Sequence, residues 1–168
     1  NMALLETPIC DFGKKAENFK LKSTNNNFIS LDETKGENGT LIMFICNHCP
    51  YVVATIKDIV KTSKELKKHG VNSIAIMSND PTDYSEDSFD NMINFAKKYD
   101  FDFPYVIDED QSVGKKYDAI CTPDFFGYNS NLELQYRGRI YEIKNKVRIE
   151  NSKNELFDSM FNISKTGK

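Results

Sequence analysis

Short apolar runs alternate along the chain with stretches in which apolar residues recur every three or four positions. Thr40–Ile45 and Val71–Met77 are apolar on both faces, as is typical of buried strands covered by helices on either side. Between them, apolar residues at helical spacing predict a core-facing helix over Tyr51–Lys68, which Gly70 would end.

The other segments predict a hairpin, further helices and an antiparallel pair. Period-two alternation on both sides of Asn25-Asn26-Asn27 predicts a hairpin of 19–22 with 28–31, and the polar stretch 32–39 is expected to be a loop. The remaining predicted elements are helices over 85–99, 111–117 and 151–163 and strands over 103–107, 124–128 and 132–140. This order predicts an α/β fold: a central mixed β-sheet flanked by helices, with an N-terminal β-hairpin.

Length and composition fit one domain. The chain has 168 residues, of which 39 % are hydrophobic, enough to build a sizeable core. We expect a single domain over residues 1–168, with an N-terminal extension at 1–15, a core at 16–140, and a C-terminal loop and helix at 141–168.

Charge and hydropathy argue against two classes of partner. The 22 basic and 25 acidic residues leave a net charge of −3 with the basic residues scattered, so no nucleic acid is expected. The longest apolar run, Leu41–Cys46, is far shorter than the roughly 20 residues that cross a bilayer, so no membrane is expected either.

We take Asn1 as a residue left by cloning. Since Met2 is followed by no signal-peptide pattern, we expect a cytoplasmic protein.

Two of the four cysteines form the motif Cys46-Asn47-His48-Cys49 directly after the first predicted buried strand. Four cysteines are too few for a disulfide scaffold, so a close pair indicates redox or metal chemistry. A helix N-terminus lowers a cysteine pKa from about 8.5 to roughly 3.5–7.5, and cysteines three positions apart can close a disulfide. Pro50 lacks an N–H and fits only a first turn, so the helix is expected to begin near residue 47. The motif therefore predicts a pair that cycles between dithiol and disulfide.

The residues inside and beside the motif are candidates for tuning the pair. An imidazolium or an aimed N–H of His48 would stabilise a thiolate and favour the dithiol form, which makes the pair more oxidising. The alternative is that His48 is an exposed side chain with no role. We group Asn47 and Pro50 with His48 as candidate redox-tuning residues.

The motif, the strand before it and the distant Thr122-Pro123 resemble the thioredoxin superfamily, and more narrowly its peroxiredoxin-like (AhpC/TSA- or TlpA-related) members. Segments 16–21, 78–80 and 121–126 share the similarity. The resemblance implies a thioredoxin-like fold in which Cys46 is the attacking thiol and Cys49 resolves the mixed disulfide. It also implies a cis Thr122–Pro123 bond in a substrate-facing loop that includes Cys121.

The chain departs from thioredoxins at two points. It has no Trp, and Thr40 stands where thioredoxins keep a buried Asp, so the sequence identifies no general base for the resolving thiol. Of the two remaining cysteines, Cys121 adjoins Thr122-Pro123 and could be a third redox thiol, but we expect a small buried apolar side chain, and we expect Cys10 to be incidental.

These observations predict a thiol–disulfide oxidoreductase. Its partner would be a disulfide- or dithiol-bearing protein or a small thiol, and it would need no organic cofactor and no metal. We expect a monomer or a weak dimer.

One alternative is a thiol peroxidase. Peroxiredoxins place a Thr three residues before the peroxidatic cysteine, and here Cys46 takes that place ahead of Cys49. The activating arginine of that family would have to be supplied by Arg137 or Arg139.

A second alternative is capture of copper(I) or zinc by the two thiolates and the His48 imidazole. The other histidine, His69, is expected at the far end of the helix, and Cys10 and Cys121 lie at no recognised zinc spacing.

Overall fold

A seven-stranded mixed β-sheet forms the centre of the computed structural model, which describes residues 10–168. The strands are β1 (Lys20–Ser23), β2 (Phe28–Ser30), β3 (Gly39–Phe44), β4 (Val71–Met77), β5 (Tyr105–Ile107), β6 (Asp124–Tyr128) and β7 (Leu134–Gly138). They lie in the order β2-β1-β5-β4-β3-β6-β7. The predicted helix-flanked sheet with an N-terminal hairpin is confirmed. Residues 1–9 of the predicted extension lie outside the described residues.

Strand β3 lies inside the sheet because its residues can be buried on both faces. All six are buried, and β3 pairs in parallel with β4 and antiparallel with β6. Parallel strands bring their carboxyl ends to the same edge. The segments that follow β3 and β4 therefore meet at that edge, where the cysteine motif lies.

Helices cover both faces of the sheet. They are α1 (Leu31–Thr34), α2 (Pro50–Lys67), α3 (Phe89–Lys98), α4 (Ser112–Lys116) and α5 (Glu155–Thr166). Leu41 and Met43 of β3 point into a core shared with α2, α3 and α5. Ile42 and Phe44 point into a second core on the opposite face, where Val113 of α4 packs. The two-sided burial of β3 fixes the start of α2 against the sheet edge.

The stretch expected to be a loop at 32–39 begins as one helical turn. Ser30 caps α1: its hydroxyl accepts the N–H of Glu33 at 3.3 Å, and the Glu33 carboxylate accepts the N–H of Ser30 at 3.0 Å. This capping box ends β2 at Ser30, before Leu31. The loop prediction was therefore wrong for residues 32–34.

The segment predicted as one helix over 85–99 is two elements. Ser85–Asp87 forms a 3₁₀ turn, and α3 begins at Phe89 because the hydroxyl of its N-cap, Ser88, accepts the N–H of Asn91. The break removes Asp87 from the helix and turns it into the protein interior, where it is fully buried.

The C-terminal region also differs from the prediction. The expected loop contains a two-stranded hairpin of β8 (Ile143–Lys144) and β9 (Val147–Arg148). Helix α5 begins at Glu155, not near 151, because Asn154 caps it by accepting the Phe157 N–H at 2.8 Å. Strands β5 and β7 are each shorter than predicted, by two residues at the start for β5 and by two at each end for β7. Within residues 10–168, no helix combines the length and the apolar character needed to span a bilayer.

Candidate active site

The two cysteines of the motif lie at the junction between the end of β3 and the start of α2. Cys46 follows β3 after one residue, Cys49 is the N-cap of α2, and Pro50 is its first residue. The helix therefore begins at residue 50 and not near 47, because proline lacks an N–H and its fixed φ suits the first helical position. The sulfurs are joined as a disulfide, with the Cα atoms 5.9 Å apart.

The two sulfurs have different surroundings. Cys46 is fully buried, and its Sγ accepts the backbone N–H of Cys49 at 3.1 Å. Cys49 is half-buried and lines an open cleft. After reduction, the same N–H would stabilise a thiolate on Cys46, which is the role that the resemblance gives to this residue.

The loop before β6 closes the site from the opposite side. The Thr122–Pro123 peptide bond is cis, the isomer that the resemblance implies. The Thr122 hydroxyl donates to Cys49 Sγ at 2.9 Å and lies 3.4 Å from Cys46 Sγ. One side chain thus contacts both sulfurs, although it is more than 70 residues away along the chain.

Asn47 anchors the motif to the sheet. Its side-chain oxygen accepts the Tyr105 hydroxyl at 2.8 Å, and its amide donates to the Glu86 carbonyl at 3.0 Å. Burial, and then the negative charge of Asp87, raise the pKa of Tyr105 well above its ordinary value, so this phenol stays neutral. Asn47 is thereby placed as a positioning residue, with no contact to either sulfur among its hydrogen bonds.

His48 lies between Tyr84 and Asp87. Its ring stacks on Tyr84 with centroids 4.9 Å apart, and its Nδ1 lies 2.8 Å from Asp87 Oδ2. The ring N–H is not aligned on that oxygen, so the contact is a close approach of a ring nitrogen to a carboxylate oxygen and not a formed hydrogen bond. The alternative that His48 is an exposed side chain is wrong as to exposure, since the side chain is only 26 % exposed.

Asp87 is the site residue that sequence reasoning missed. Its Oδ1 accepts the backbone N–H of Asn47 at 2.8 Å, and its Oδ2 accepts the Asn79 side-chain amide at 2.8 Å. Its position in Ser85-Glu86-Asp87 favoured a role at a helix start, where acidic residues offset the helix dipole. An aspartate one residue before a Ser N-cap was the available signal, but only the tertiary structure turns it toward the motif.

A cleft of about 370 Å³ opens beside the disulfide. His48, Cys49, Cys121 and Thr122 line it, together with polar residues that include Lys115. The expectation that Cys121 is buried was wrong, because the residue is exposed on the turn before the cis-proline. Partial desolvation of its thiol, followed by the negative charge of Asp124, nevertheless raises the pKa of Cys121.

The arginines considered for peroxide activation are engaged elsewhere. Arg137 lies on β7 and pairs with Asp124 at 2.8 Å, with its guanidinium over the Phe126 ring. Arg139 pairs with Glu155 at 2.9 Å. Among the described residues that line the cleft there is no arginine. The described lining of this cleft therefore does not include the arginine expected of a thiol peroxidase.

Three possible donor atoms, one each from Cys46, His48 and Cys49, lie within 4.8 Å of one another. In the disulfide form neither sulfur is a thiolate, so this group could accept a metal only after reduction. His69 packs on Phe161 with ring centroids 4.8 Å apart, beyond the far end of α2. Cys10 is half-buried and lines a different pocket.

Comparison with solved structures places the fold. A conserved uncharacterized protein from Geobacillus kaustophilus superposes with a TM-score of 0.85 and 35 % identity, covering 94 % of this chain and 88 % of that chain. The thioredoxin domain of a thiol-disulfide oxidoreductase from Bacteroides vulgatus superposes with a TM-score of 0.67 at 13 % identity, covering 94 % of this chain and 98 % of that chain. The second likeness shows the fold alone, which is thioredoxin-like.

Sequence comparison gives the family. The thiol-disulfide oxidoreductase ResA of Bacillus subtilis is 30 % identical over 117 residues, which cover 70 % of this chain and 61 % of ResA. This chain thus matches somewhat less than two thirds of the length of that relative. The model of the AhpC/TSA family matches residues 12–143, which include both motif cysteines and the cis-proline. The chain therefore belongs to the AhpC/TSA family.

Proposed function

We propose that the chain is a thiol–disulfide oxidoreductase whose Cys46–Cys49 pair cycles between dithiol and disulfide. The observation that carries the proposal is a disulfide at a strand-to-helix junction, beside an open cleft, with Thr122 in contact with both sulfurs. The likeness to ResA, which bears the name of this activity, supports it.

The reductive half of the cycle follows from the surroundings of the sulfurs. The Cys46 thiolate, held by the Cys49 N–H, attacks one sulfur of a substrate disulfide and displaces the other as a thiolate. Cys49 then attacks Cys46 Sγ and releases the second substrate sulfur. Because Cys46 is buried in the disulfide form, the reduced pair must open toward the cleft for the first attack. Oxidation of a substrate dithiol is the same sequence in reverse.

The proposed substrate is a disulfide or dithiol on a protein or a small thiol. The cleft beside Cys49 combines the apolar Ile120 with the polar Gln111 and Lys115, and Ile120 and Tyr84 are large exposed apolar side chains there. Such a surface accepts an extended segment on either side of a substrate cysteine. We also propose a cytoplasmic location and a monomer or weak dimer, which subcellular fractionation and analytical ultracentrifugation would test.

Two assays on the same sample test the function. We expect the reduced protein to reduce insulin disulfides and the Cys46→Ser and Cys49→Ser variants to be inactive, while Cys10→Ser, which lies outside the cleft, keeps full activity. Stopped-flow measurement of peroxide consumption should show no fast turnover. Fast peroxide consumption that depends on Cys49, with no insulin reduction, would replace the proposal by a peroxidase.

The metal content of the protein purified under reducing conditions is the third measurement. Stoichiometric zinc or copper that is lost in Cys46→Ser would contradict the proposal in favour of metal binding.

A further inference from the structure

We propose that Asp87 is a positioning residue that holds the His48 imidazole so that its free nitrogen carries protons to and from the Cys46–Cys49 pair. The proposal rests on the proposed oxidoreductase function and adds the proton carrier that the position of Thr40 leaves open. The contact on which it depends is between Asp87, just before α3, and His48, just before α2.

The burial of Asp87 is the first observation. The carboxylate is fully buried, and a buried carboxylate must be compensated by donors or by a positive charge. The Asn47 N–H and the Asn79 amide are neutral donors. Among its described contacts, His48 is the one that can carry a charge, so the pair can store a proton without leaving an unpaired ion.

The orientation of His48 is the second observation. With Nδ1 2.8 Å from a carboxylate oxygen, the proton of a neutral imidazole is held on Nδ1, which leaves Nε2 as the free nitrogen. Stacking on Tyr84 limits the ring to small rotations in its own plane, and such a rotation would align the N–H on the oxygen. The Tyr84 ring thus holds the plane of the imidazole, and after that small rotation the carboxylate would hold its proton on Nδ1.

The distance to the sulfurs is the third observation. One of the two ring nitrogens of His48 lies within 4.8 Å of both sulfurs. The proposal assigns the proton transfer to Nε2 because Nδ1 faces Asp87, and one bridging water or a modest shift of the reduced pair would complete the path. No other histidine is near, because His69 lies beyond the opposite end of α2.

The proton balance of the cycle then closes on residues of this chain. The proposed cycle starts from a Cys46 thiolate, a Cys49 thiol and a proton on the free nitrogen of His48. Cys46 forms a bond to one substrate sulfur, and the displaced substrate thiolate takes the imidazolium proton. His48 next takes the proton of Cys49, Cys49 bonds to Cys46, and the second substrate thiolate receives that proton. The substrate disulfide is reduced to a dithiol, and the enzyme dithiol is oxidised to the disulfide.

A double-mutant cycle on insulin reduction tests whether Asp87 acts through His48. We expect Asp87→Asn, which keeps the shape and removes the charge, to lower kcat/KM by about 10²-fold. In the His48→Gln background the same substitution should cost less than about twofold. Asp90→Asn removes an exposed acid from the first turn of α3 and is the matched control, which should leave kcat/KM unchanged.

Nitrogen-15 NMR of the imidazoles reports which ring nitrogen carries the proton, and a purely structural role of Asp87 would not change that tautomer. The wild-type measurement does not depend on whether a variant folds. The chain has two histidines, so His69 is an internal reference. In the disulfide form at about pH 8, where an ordinary imidazole is neutral, we expect His48 to carry its proton on Nδ1 in the wild type and to shift toward Nε2 in Asp87→Asn.

An equal loss of activity in both backgrounds, or a wild-type His48 protonated on Nε2, would overturn the role of Asp87 and leave the oxidoreductase function standing. A wild-type protein with no disulfide reductase activity would contradict the proposed function itself, and this proposal with it.

Discussion

The hydroxyl of Thr122 lies 2.9 Å from Cys49 Sγ and 3.4 Å from Cys46 Sγ. The loop before β6 places this hydroxyl beside the two cysteines at the start of α2. A donor at this point can stabilise negative charge on either cysteine sulfur when that sulfur is a thiolate. We therefore expect the Thr122 hydroxyl to take part in the proposed exchange reaction.

Replacing Thr122 with Val should slow disulfide exchange without unfolding the protein. The two side chains have nearly the same shape, and one hydrogen bond to sulfur, worth about 1 kcal/mol, is lost. We expect kcat/KM for insulin reduction to fall about fivefold. Thr166→Val, at the exposed end of α5, is the control and should have wild-type activity. An unchanged rate in Thr122→Val would show that the hydroxyl takes no part in disulfide exchange.

Replacing Cys49 with Ser should trap a mixed disulfide between Cys46 and a substrate, because the resolving sulfur is gone. The measurement is mass spectrometry of the intact protein after incubation with a substrate disulfide, in a Cys121→Ser background that removes the other thiol of the cleft. If Cys46→Ser traps the adduct in its place, the attacking sulfur is Cys49, which already faces the cleft.

Cys121 should react slowly at neutral pH although the residue is exposed. Its raised pKa means that a smaller fraction is thiolate at pH 7 than for an ordinary cysteine, and the thiolate is the reactive form. We expect its alkylation rate to rise about tenfold per pH unit from pH 7 to beyond pH 8.5. Peptide mapping after brief iodoacetamide treatment at several pH values measures this. Rapid labelling of Cys121 at pH 7 would contradict the expected direction.

Replacing Arg137 with Met should destabilise the fold strongly. The Arg137 and Asp124 side chains are 9 % and 8 % exposed, and removing the cation leaves a buried carboxylate without its partner. We expect a loss of about 3–5 kcal/mol in the free energy of unfolding, measured by urea denaturation. Arg139→Met breaks an ion pair in which the arginine is 57 % exposed and should cost less than about 1 kcal/mol. Equal losses for the two variants would show that burial does not set the strength of the Arg137 pair.

The local elements were largely predictable because hydrophobic period and proline chemistry act over a few residues. The two-sided apolar character of β3 and the spacing of apolar residues in α2 predicted a buried strand followed by a helix. The predicted boundaries of the elements were wrong where a side chain caps a helix by accepting a backbone N–H. Ser30 and Glu33 turned an expected loop into α1, and Ser88 split an expected helix.

The sequence by itself determined the helix-covered sheet and the closeness of Cys46 to Cys49. It also identified Pro123 as the proline of an expected cis peptide bond. These depend on neighbours in the chain, and patterns of a few residues encode them. Only the tertiary structure decided that Asp87 contacts His48, that Thr122 contacts both sulfurs, and that Arg137 forms a salt bridge with Asp124. Such contacts join residues far apart in the chain, and their distances follow from strand order and packing rather than from local pattern.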